Sequence, residues 1–259
     1  MEKTLYLSEK QTLRIRCDGP SLWVQQANSA GQRVPARLVR RAIVVGNVTL
    51  DSGTLTLLAQ RGVPIALLDR RGEPLAMVLG LQDGTRQRRV RQAALSENRE
   101  KREHIAAWFE AWEHGRQLRL VKSLDPSRER EWRCTGFRRS DYEDWLLTQA
   151  RTRNCHARSR TFLTGALHEL IAAELTSQGW DLHAGVRELG TPLALVKDCY
   201  SALQPDIDRI WLMLPARVSE PRRPLSTRAL AGCFESARPR LESLLRSMLG
   251  QYARLLWEI

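Results

Sequence analysis

The predominant spacing of apolar residues changes near residue 82 of this chain, and that change strongly constrains the fold. Before it, short apolar runs alternate with polar residues or turns, as in Leu13–Cys17, a period of two that is typical of half-buried strands. After it, the segment from Ile105 to Trp112 repeats apolar residues at the spacing of a helix face. The sequence therefore predicts an α+β fold, with a β-rich domain at residues 1–82 followed by a larger, all-α-helical domain at residues 83–259.

The individual elements follow from the same patterns and from turn residues. In the first domain we expect strands at 5–7, 13–17, 22–24, 42–48, 63–69 and 74–79, and a short helix at 54–61. In the second we expect a helix at 93–122, an arginine-rich polar loop at 127–140, a helix that opens at Ser140, and further helices at 161–177, 192–202, 208–214, 225–234 and 241–257.

Arginine dominates the charge of the chain. Lys and Arg total 41 against 29 Asp and Glu, which gives a formal net charge of +12. Because guanidinium groups bind phosphate in a bidentate manner, this composition favours a nucleic acid over a membrane as the partner. A basic soluble protein with no such partner is the alternative.

The candidate DNA contacts are arginines clustered along the helical domain. They are Arg86, Arg88, Arg89, Arg91, Arg151, Arg153, Arg158, Arg160 and Arg187. Tryptophans in the same domain could stack on bases, but the helical spacing of Trp108 and Trp112 favours packing in the core.

The five cysteines are odd in number and far apart, and the sequence contains no CxxC pair. This argues against a disulfide framework and against a zinc site, and indicates a reducing cytoplasm. The N-terminal sequence does not resemble a signal peptide. No apolar run approaches the roughly 20 residues of a membrane helix, so we expect no membrane partner.

Two stretches resemble the CRISPR spacer-acquisition integrase, the Cas-one family. In the first, a Gly46-Asn47-Val48 strand, a short helix and an Arg61-Gly62-Val63-Pro64 segment occur in the family's order. The second is the loop from Gly179 through Gly185 to an Asp-bearing helix, in which Pro205 and Asp208 lie in register with the family. The resemblance implies a β-domain that pairs two chains into a homodimer and a helical domain that carries DNA.

The resemblance also implies a metal site for Mg²⁺ or Mn²⁺. Asp198 falls on the family's Asp and Glu188 on its His, so both become candidate catalytic residues and metal ligands. A carboxylate can hold these ions as well as an imidazole can. A slip of one residue would place Arg187 there instead, and Asp198 could equally be a helix-end or salt-bridge residue.

The family's third ligand is a Glu in a Gly-x-Glu-Gly turn, which has no match in this sequence. Glu113, which precedes His114-Gly115, and Glu143 are the nearest candidates, and we assign Glu143 as the third ligand. A second acid of the family is replaced by Ser201.

Two functions follow from the resemblance. The first is a metal-dependent DNA endonuclease and integrase that binds prespacer, CRISPR repeat or branched DNA and inserts spacers into the CRISPR array, with a small ferredoxin-fold adaptation subunit as partner. The second is a DNA-binding or scaffold relative that has lost the metal chemistry. A basic RNA-binding protein unrelated to CRISPR is a more remote third.

Overall fold

The structure is a computed structural model that describes residues 3–9, 13–26, 29–80, 86–214 and 225–258. The chain divides into two compact units, one comprising residues 1–89 with 165–181 and the other residues 90–164 with 182–259. The predicted α+β order is confirmed, with strands up to residue 78 and helices after residue 86.

The elements, in chain order, are β1 (Lys3–Ser8), β2 (Leu13–Asp18), β3 (Ser21–Gln26), β4 (Gln32–Pro35), a 3-10 turn (Ala36–Leu38), β5 (Val39–Val45), β6 (Thr49–Leu50), α1 (Ser52–Gln60), β7 (Ile65–Leu68), β8 (Pro74–Val78), α2 (Arg86–Glu97), α3 (Arg99–Leu124), α4 (Pro126–Thr135), α5 (Arg139–Thr152), α6 (Ala157–Ser177), α7 (Ala194–Leu212) and α8 (Thr227–Glu258).

Two four-stranded sheets build the first unit. One has the order β1-β5-β7-β8. Strand β5 runs parallel to both β1 and β7, and β8 pairs with β7 in the antiparallel direction. The other has the order β4-β3-β2-β6. Leu7, Ile15, Leu22, Val44 and Leu58, which come from both sheets and from α1, are buried in one apolar cluster. Burial of this cluster is the main force that holds the sheets together.

Asp51 starts α1 and ties it to the neighbouring sheet. Its carboxylate accepts the Thr54 N–H at 2.7 Å, which is an N-cap bond, and also accepts the Cys17 N–H of β2 at 3.1 Å. The Thr54 side chain lowers the pKa of Asp51 most strongly, and the backbone hydrogen bonds from Thr54 and Cys17 lower it further. Helix α1 ends at Gln60, and Gly62, two residues later, has a φ of 67° in the left-handed region that favours glycine.

Helix α6 contributes residues 165–177 to the first unit. A Cβ built on Gly165 would lie only 2.3 Å from the Gly72 carbonyl oxygen and 3.1 Å from the Leu68 methyls, so only glycine allows this approach. Farther along the helix, Glu169 pairs with Arg41 of β5 at 3.7 Å, and both side chains are buried.

The regular elements that the structure describes in the second unit are helices, and they correct four predictions. The segment predicted as a loop at 127–140 contains α4, which Asp125 caps by accepting the Arg128 N–H at 3.0 Å, with Pro126 at the first helical position. Its charged residues satisfy one another along the helix, as in the Arg133–Glu129 pair, which is why a dense run of charge was mistaken for a loop.

Two pairs of predicted helices are each a single helix. Helix α7 continues through Pro205 and α8 through Pro239, so the predicted interruptions are wrong. Burial of long apolar faces outweighs the cost of a proline in a helix interior; Pro205 itself is buried. In the opposite sense, the predicted helix at 93–122 is divided at Asn98, which caps α3 by accepting the Lys101 N–H at 3.0 Å.

Tryptophan and tyrosine packing confirms the core interpretation of the long helices. Ile105 and Phe109 of α3 are fully buried, and Trp108 stacks on Tyr252 of α8 with ring centroids 6.4 Å apart. In the described part of the chain, none of the helices combines the length and hydrophobicity that a membrane crossing demands.

Candidate functional site

Asp198 holds the loop that precedes α7. The side chain is 2% exposed and accepts the Val186 N–H at 2.7 Å, with a second backbone bond from Arg187. Gly185 lies so close to Ala194 that a Cβ there would be 2.5 Å from the Ala194 carbonyl carbon. The loop therefore folds back tightly onto the first turn of the helix, and Asp198 satisfies its amides.

The same loop carries backbone strain. Leu193 adopts a φ of 57°, which a residue with a β-carbon rarely adopts. Its N–H donates to Nδ1 of His183 at 3.1 Å, so a side chain at the loop's start fixes its end. Strain of this kind persists only where the surrounding contacts determine it, and it clusters at functional sites.

Burial raises the pKa of Asp198 to about 6. The backbone hydrogen bonds from Val186 and Arg187 and the nearby guanidinium of Arg187 oppose this effect, while Glu188 adds to it. Desolvation thus exceeds the stabilisation that these partners give to the carboxylate.

Glu188 faces a different environment from Asp198. Its side chain is 59% exposed, and Oε2 lies 3.3 Å from Nζ of Lys197. The two candidate ligands belong to one loop and helix, but one carboxylate is buried against backbone amides and the other forms an exposed ion pair.

Glu113 of α3 reaches the same loop. The carboxylate is buried, Oε2 accepts a hydrogen bond from NH1 of Arg187 at 2.8 Å, and Oε1 lies 3.7 Å from NH1 of Arg139. Sequence reasoning named Glu113 as a neighbouring candidate and assigned Glu143 instead. The local signal for Glu113 is its position before His114-Gly115, but it lacks the flanking glycines of the family's Gly-x-Glu-Gly turn.

Glu143 lies in a second cluster, around Asp208. Arg160 donates to Asp208 at 2.8 Å and pairs with Glu143 at 3.3 Å, and the Tyr142 hydroxyl donates to Asp208 at 2.9 Å. Burial raises the pKa of Asp208 to about 6, opposed by Arg160. Burial, followed by the charge of Asp208, raises the pKa of Tyr142.

The candidate ligands do not fit a divalent cation as they stand. Asp198 is bonded to amides, Glu188 is paired with Lys197, and Glu143 is paired with Arg160. Across residues 3–258, apart from the segments that the structure does not describe, no three His, Cys, Asp or Glu side chains are grouped so that they could hold a metal ion. Hard cations need several free oxygen ligands.

Several predicted DNA contacts have structural roles. Arg88 donates to the Gln178 carbonyl at 2.5 Å and lies over the Trp180 ring at 5.0 Å. Arg91 donates to the Leu256 carbonyl at 3.2 Å and lies 3.5 Å from the centroid of the Trp257 ring. Their guanidinium groups are therefore already engaged with neighbouring helices or turns.

The remaining predicted contacts differ in exposure. Arg160 and Arg187 are paired with acids, as described above. Those with exposed side chains are Arg89, Arg151, Arg153 and Arg158. The side chain of Arg86 lies outside the described residues.

The sequence profile of the CRISPR associated protein Cas1 family matches residues 5–144, which is more than half of the chain. The chain belongs to the Cas1 family. This confirms the resemblance that the two stretches carried, although the matched residues end before the Asp198 helix.

Solved structures show the same fold over almost the whole chain. TM1797, a Cas1 protein from Thermotoga maritima, is 16% identical with a TM-score of 0.80 and covers 98% of this chain and 97% of its own. A TtCas1–DNA complex has 16% identity and a TM-score of 0.61, and the match covers 95% of this chain and 91% of that one. A casposase bound to integration product has 16% identity and a TM-score of 0.67, and the match covers 91% of this chain and 82% of that one. No curated protein sequence matches significantly.

The Cas1 fold covers both candidate clusters, since the likeness spans α3 to α8. The equivalence of Asp198 with the family's Asp stays a prediction, and the buried acid that meets the Asp198 loop is Glu113 rather than Glu143. Arg187, the residue that a slip of one position would place in the alignment, contacts Glu113 through its guanidinium and Asp198 through its backbone N–H.

Proposed function

We propose that this protein acts in CRISPR adaptation by binding the DNA that is to become a spacer, or the branched DNA that forms at the array. The observation that carries the proposal is membership of the Cas1 family together with a Cas1 fold along the whole chain. Similar folds occur in a TtCas1–DNA complex and in a casposase bound to its integration product.

The charge of the chain supports this role. The excess of positive charge is supplied by arginines, and Arg89, Arg151 and Arg153 expose their side chains. Contacts to phosphate release counterions, so each contact adds about −0.9 to the slope of log K against log salt. Proteins that bind in this manner lose affinity steeply with salt and discriminate little between sequences.

The test is the salt dependence of binding to a fluorescent branched DNA, measured by anisotropy between about 50 and 200 mM salt. Replacing Arg151 and Arg153 with Ala should make the slope less negative by roughly 0.9 for each arginine removed and should leave the sequence preference unchanged. The matched control is Arg88→Ala, which removes a guanidinium already engaged with Gln178 and Trp180 and should leave the slope as it is. A wild-type affinity that does not vary with salt would refute the proposal.

Assembly belongs to the same proposal. We expect a homodimer formed through the β-domains, because a self-complementary two-fold contact is the commonest oligomer geometry, and a small ferredoxin-fold adaptation subunit as a further partner. A solved Cas6-RT-Cas1–Cas2 complex contains a chain that is 14% identical to this one and matches its fold with a TM-score of 0.71. The match covers 99% of this chain and 35% of that one. Sedimentation of the protein alone and with the partner subunit measures both, and a strict monomer would contradict the dimer. Cytoplasmic localisation stays a prediction from cysteine usage.

A second candidate function is the metal-dependent endonuclease and integrase. It is favoured by Asp198, which keeps the register of the family's Asp in a strained loop. The test is cleavage and joining of branched DNA with Mn²⁺, comparing the wild type with Asp198→Ala. Activity in the wild type that is lost in the variant would establish the enzyme; DNA binding without activity in either would leave the binding role alone.

A further inference from the structure

Arg187 of the Asp198 loop contacts two acids from separate helices, Glu113 through its guanidinium and Asp198 through its backbone N–H. Glu113 of α3 accepts a hydrogen bond from NH1 of Arg187 at 2.8 Å. Asp198 of α7 accepts backbone bonds from the same loop, and its negative charge is stabilised by the Arg187 guanidinium. Arg187 thus interacts electrostatically with both acids.

The charges of this cluster balance without an ion. Glu113 and Asp198, when ionised, carry two negative charges, and Arg187 with Arg139, which is 3.7 Å from Glu113, carries two positive charges. A single Mg²⁺ or Mn²⁺ would bring the same charge of two. A metal ion placed among these groups would be repelled by both guanidinium groups at close range, where such repulsion is strong.

We propose that Arg187, assisted by Arg139, takes the place of a divalent cation between Glu113 and Asp198. The protein then keeps this cluster assembled with no metal. The Arg187 side chain is 21% exposed. The inference rests on contacts within one compact unit and not on the DNA binding proposed above.

The alternative is that Arg187 and Glu113 form an ordinary ion pair beside a usable metal site. The two readings differ in one measurable respect. If Arg187 occupies the position of the ion, removal of its charge creates a metal site that the wild type lacks. If the pair is incidental, the wild type binds metal and the removal changes little.

The experiment measures Mn²⁺ binding by the loss of the free-ion electron paramagnetic resonance signal, and separately by the shift in Tm that Mn²⁺ produces. The variants are Arg187→Gln, which keeps a donor for Glu113 without the charge, and Arg187→Gln combined with Arg139→Gln. Arg187→Lys, which keeps the charge, is the matched control. The Tm measurement keeps a destabilised variant informative, because an ion that binds the folded state raises Tm.

We expect the wild type and Arg187→Lys to leave the Mn²⁺ signal and Tm unchanged. The double variant should bind one Mn²⁺ at least about 10-fold more tightly than the wild type, since two like charges have been removed from the site, and an added Glu113→Gln should abolish that binding. Wild-type binding of Mn²⁺ that Glu113→Gln or Asp198→Asn eliminates would overturn the proposal. A folded double variant that binds no Mn²⁺ would overturn it as well. A failure of DNA binding affects neither readout.

Discussion

Replacing Arg116 with Met should destabilise the protein more than most single changes on its surface would. Arg116 of α3 and Asp206 of α7 form a buried pair in which the two side chains are 6% and 7% exposed. Arg116 Nε donates to Oδ2 at 2.7 Å, and NH2 approaches Oδ1 as well. The guanidinium therefore binds the carboxylate through both oxygens, which is its strongest geometry.

The size of the effect follows from the carboxylate that is left behind. Removing one partner of a buried pair costs about 3–5 kcal/mol, because the other charge stays buried. Asp206 retains one further partner, Arg240, whose NH2 lies 3.5 Å from Oδ1 but whose side chain is 59% exposed. We therefore expect the lower end, a loss of about 3 kcal/mol in the free energy of unfolding, or a fall of roughly 6–12 °C in Tm.

The assay is thermal and urea unfolding followed by circular dichroism, with Arg240→Ala as the matched control on the same carboxylate. That exposed pair should contribute less than about 1 kcal/mol. Equal losses in Arg116→Met and Arg240→Ala would refute the reasoning, because burial would then not determine the cost.

Three further outcomes are expected. Gly165→Ala should cost about 1–3 kcal/mol in the free energy of unfolding, because its Cβ would meet the Gly72 carbonyl at 2.3 Å; an unchanged urea midpoint would contradict this close approach. Tyr142→Phe should cost about 1.5–3 kcal/mol, the value of a hydrogen bond to a charged group, here the 2.9 Å bond to Asp208, as chemical denaturation would show; a loss below about 0.5 kcal/mol would argue against it. Because the pKa of Asp198 is raised to about 6, its contribution to stability is present below about pH 4 and is lost as pH rises through 6. The free energy of unfolding of the wild type relative to Asp198→Asn should then fall by up to about 3 kcal/mol between pH 4 and 7, and a rise would show the opposite sign.

The sequence was informative where local patterns determine structure. The apolar period on each side of residue 82 shows whether a strand or a helix can bury one apolar face there. The order of strands and helices in the structure follows from it. Helix α4 was missed because its charges satisfy one another only once the helix has formed. The prolines at 205 and 239 misled for a related reason, since tertiary packing outweighs local propensity in long helices.

The candidate site was predictable in its frame and less so in its contacts. Asp198 and its loop are neighbours in sequence, so register alone placed them together. Glu113 is far from Asp198 in the chain, and nothing local shows that α3 delivers its carboxylate to Arg187. The burial that raises the pKa of Asp198 is likewise a property of the packed helices, which no short motif records.

The pairing of Arg41 with Glu169 has a consequence for biosynthesis. Arg41 lies in a strand near the start of the chain, whereas Glu169 is encoded after most of the helices of the other unit. Ribosomes add roughly 5–20 residues per second, N-terminus first. Arg41 therefore leaves the ribosome several seconds before Glu169, its partner. The first unit is completed only after much of the second has been synthesised.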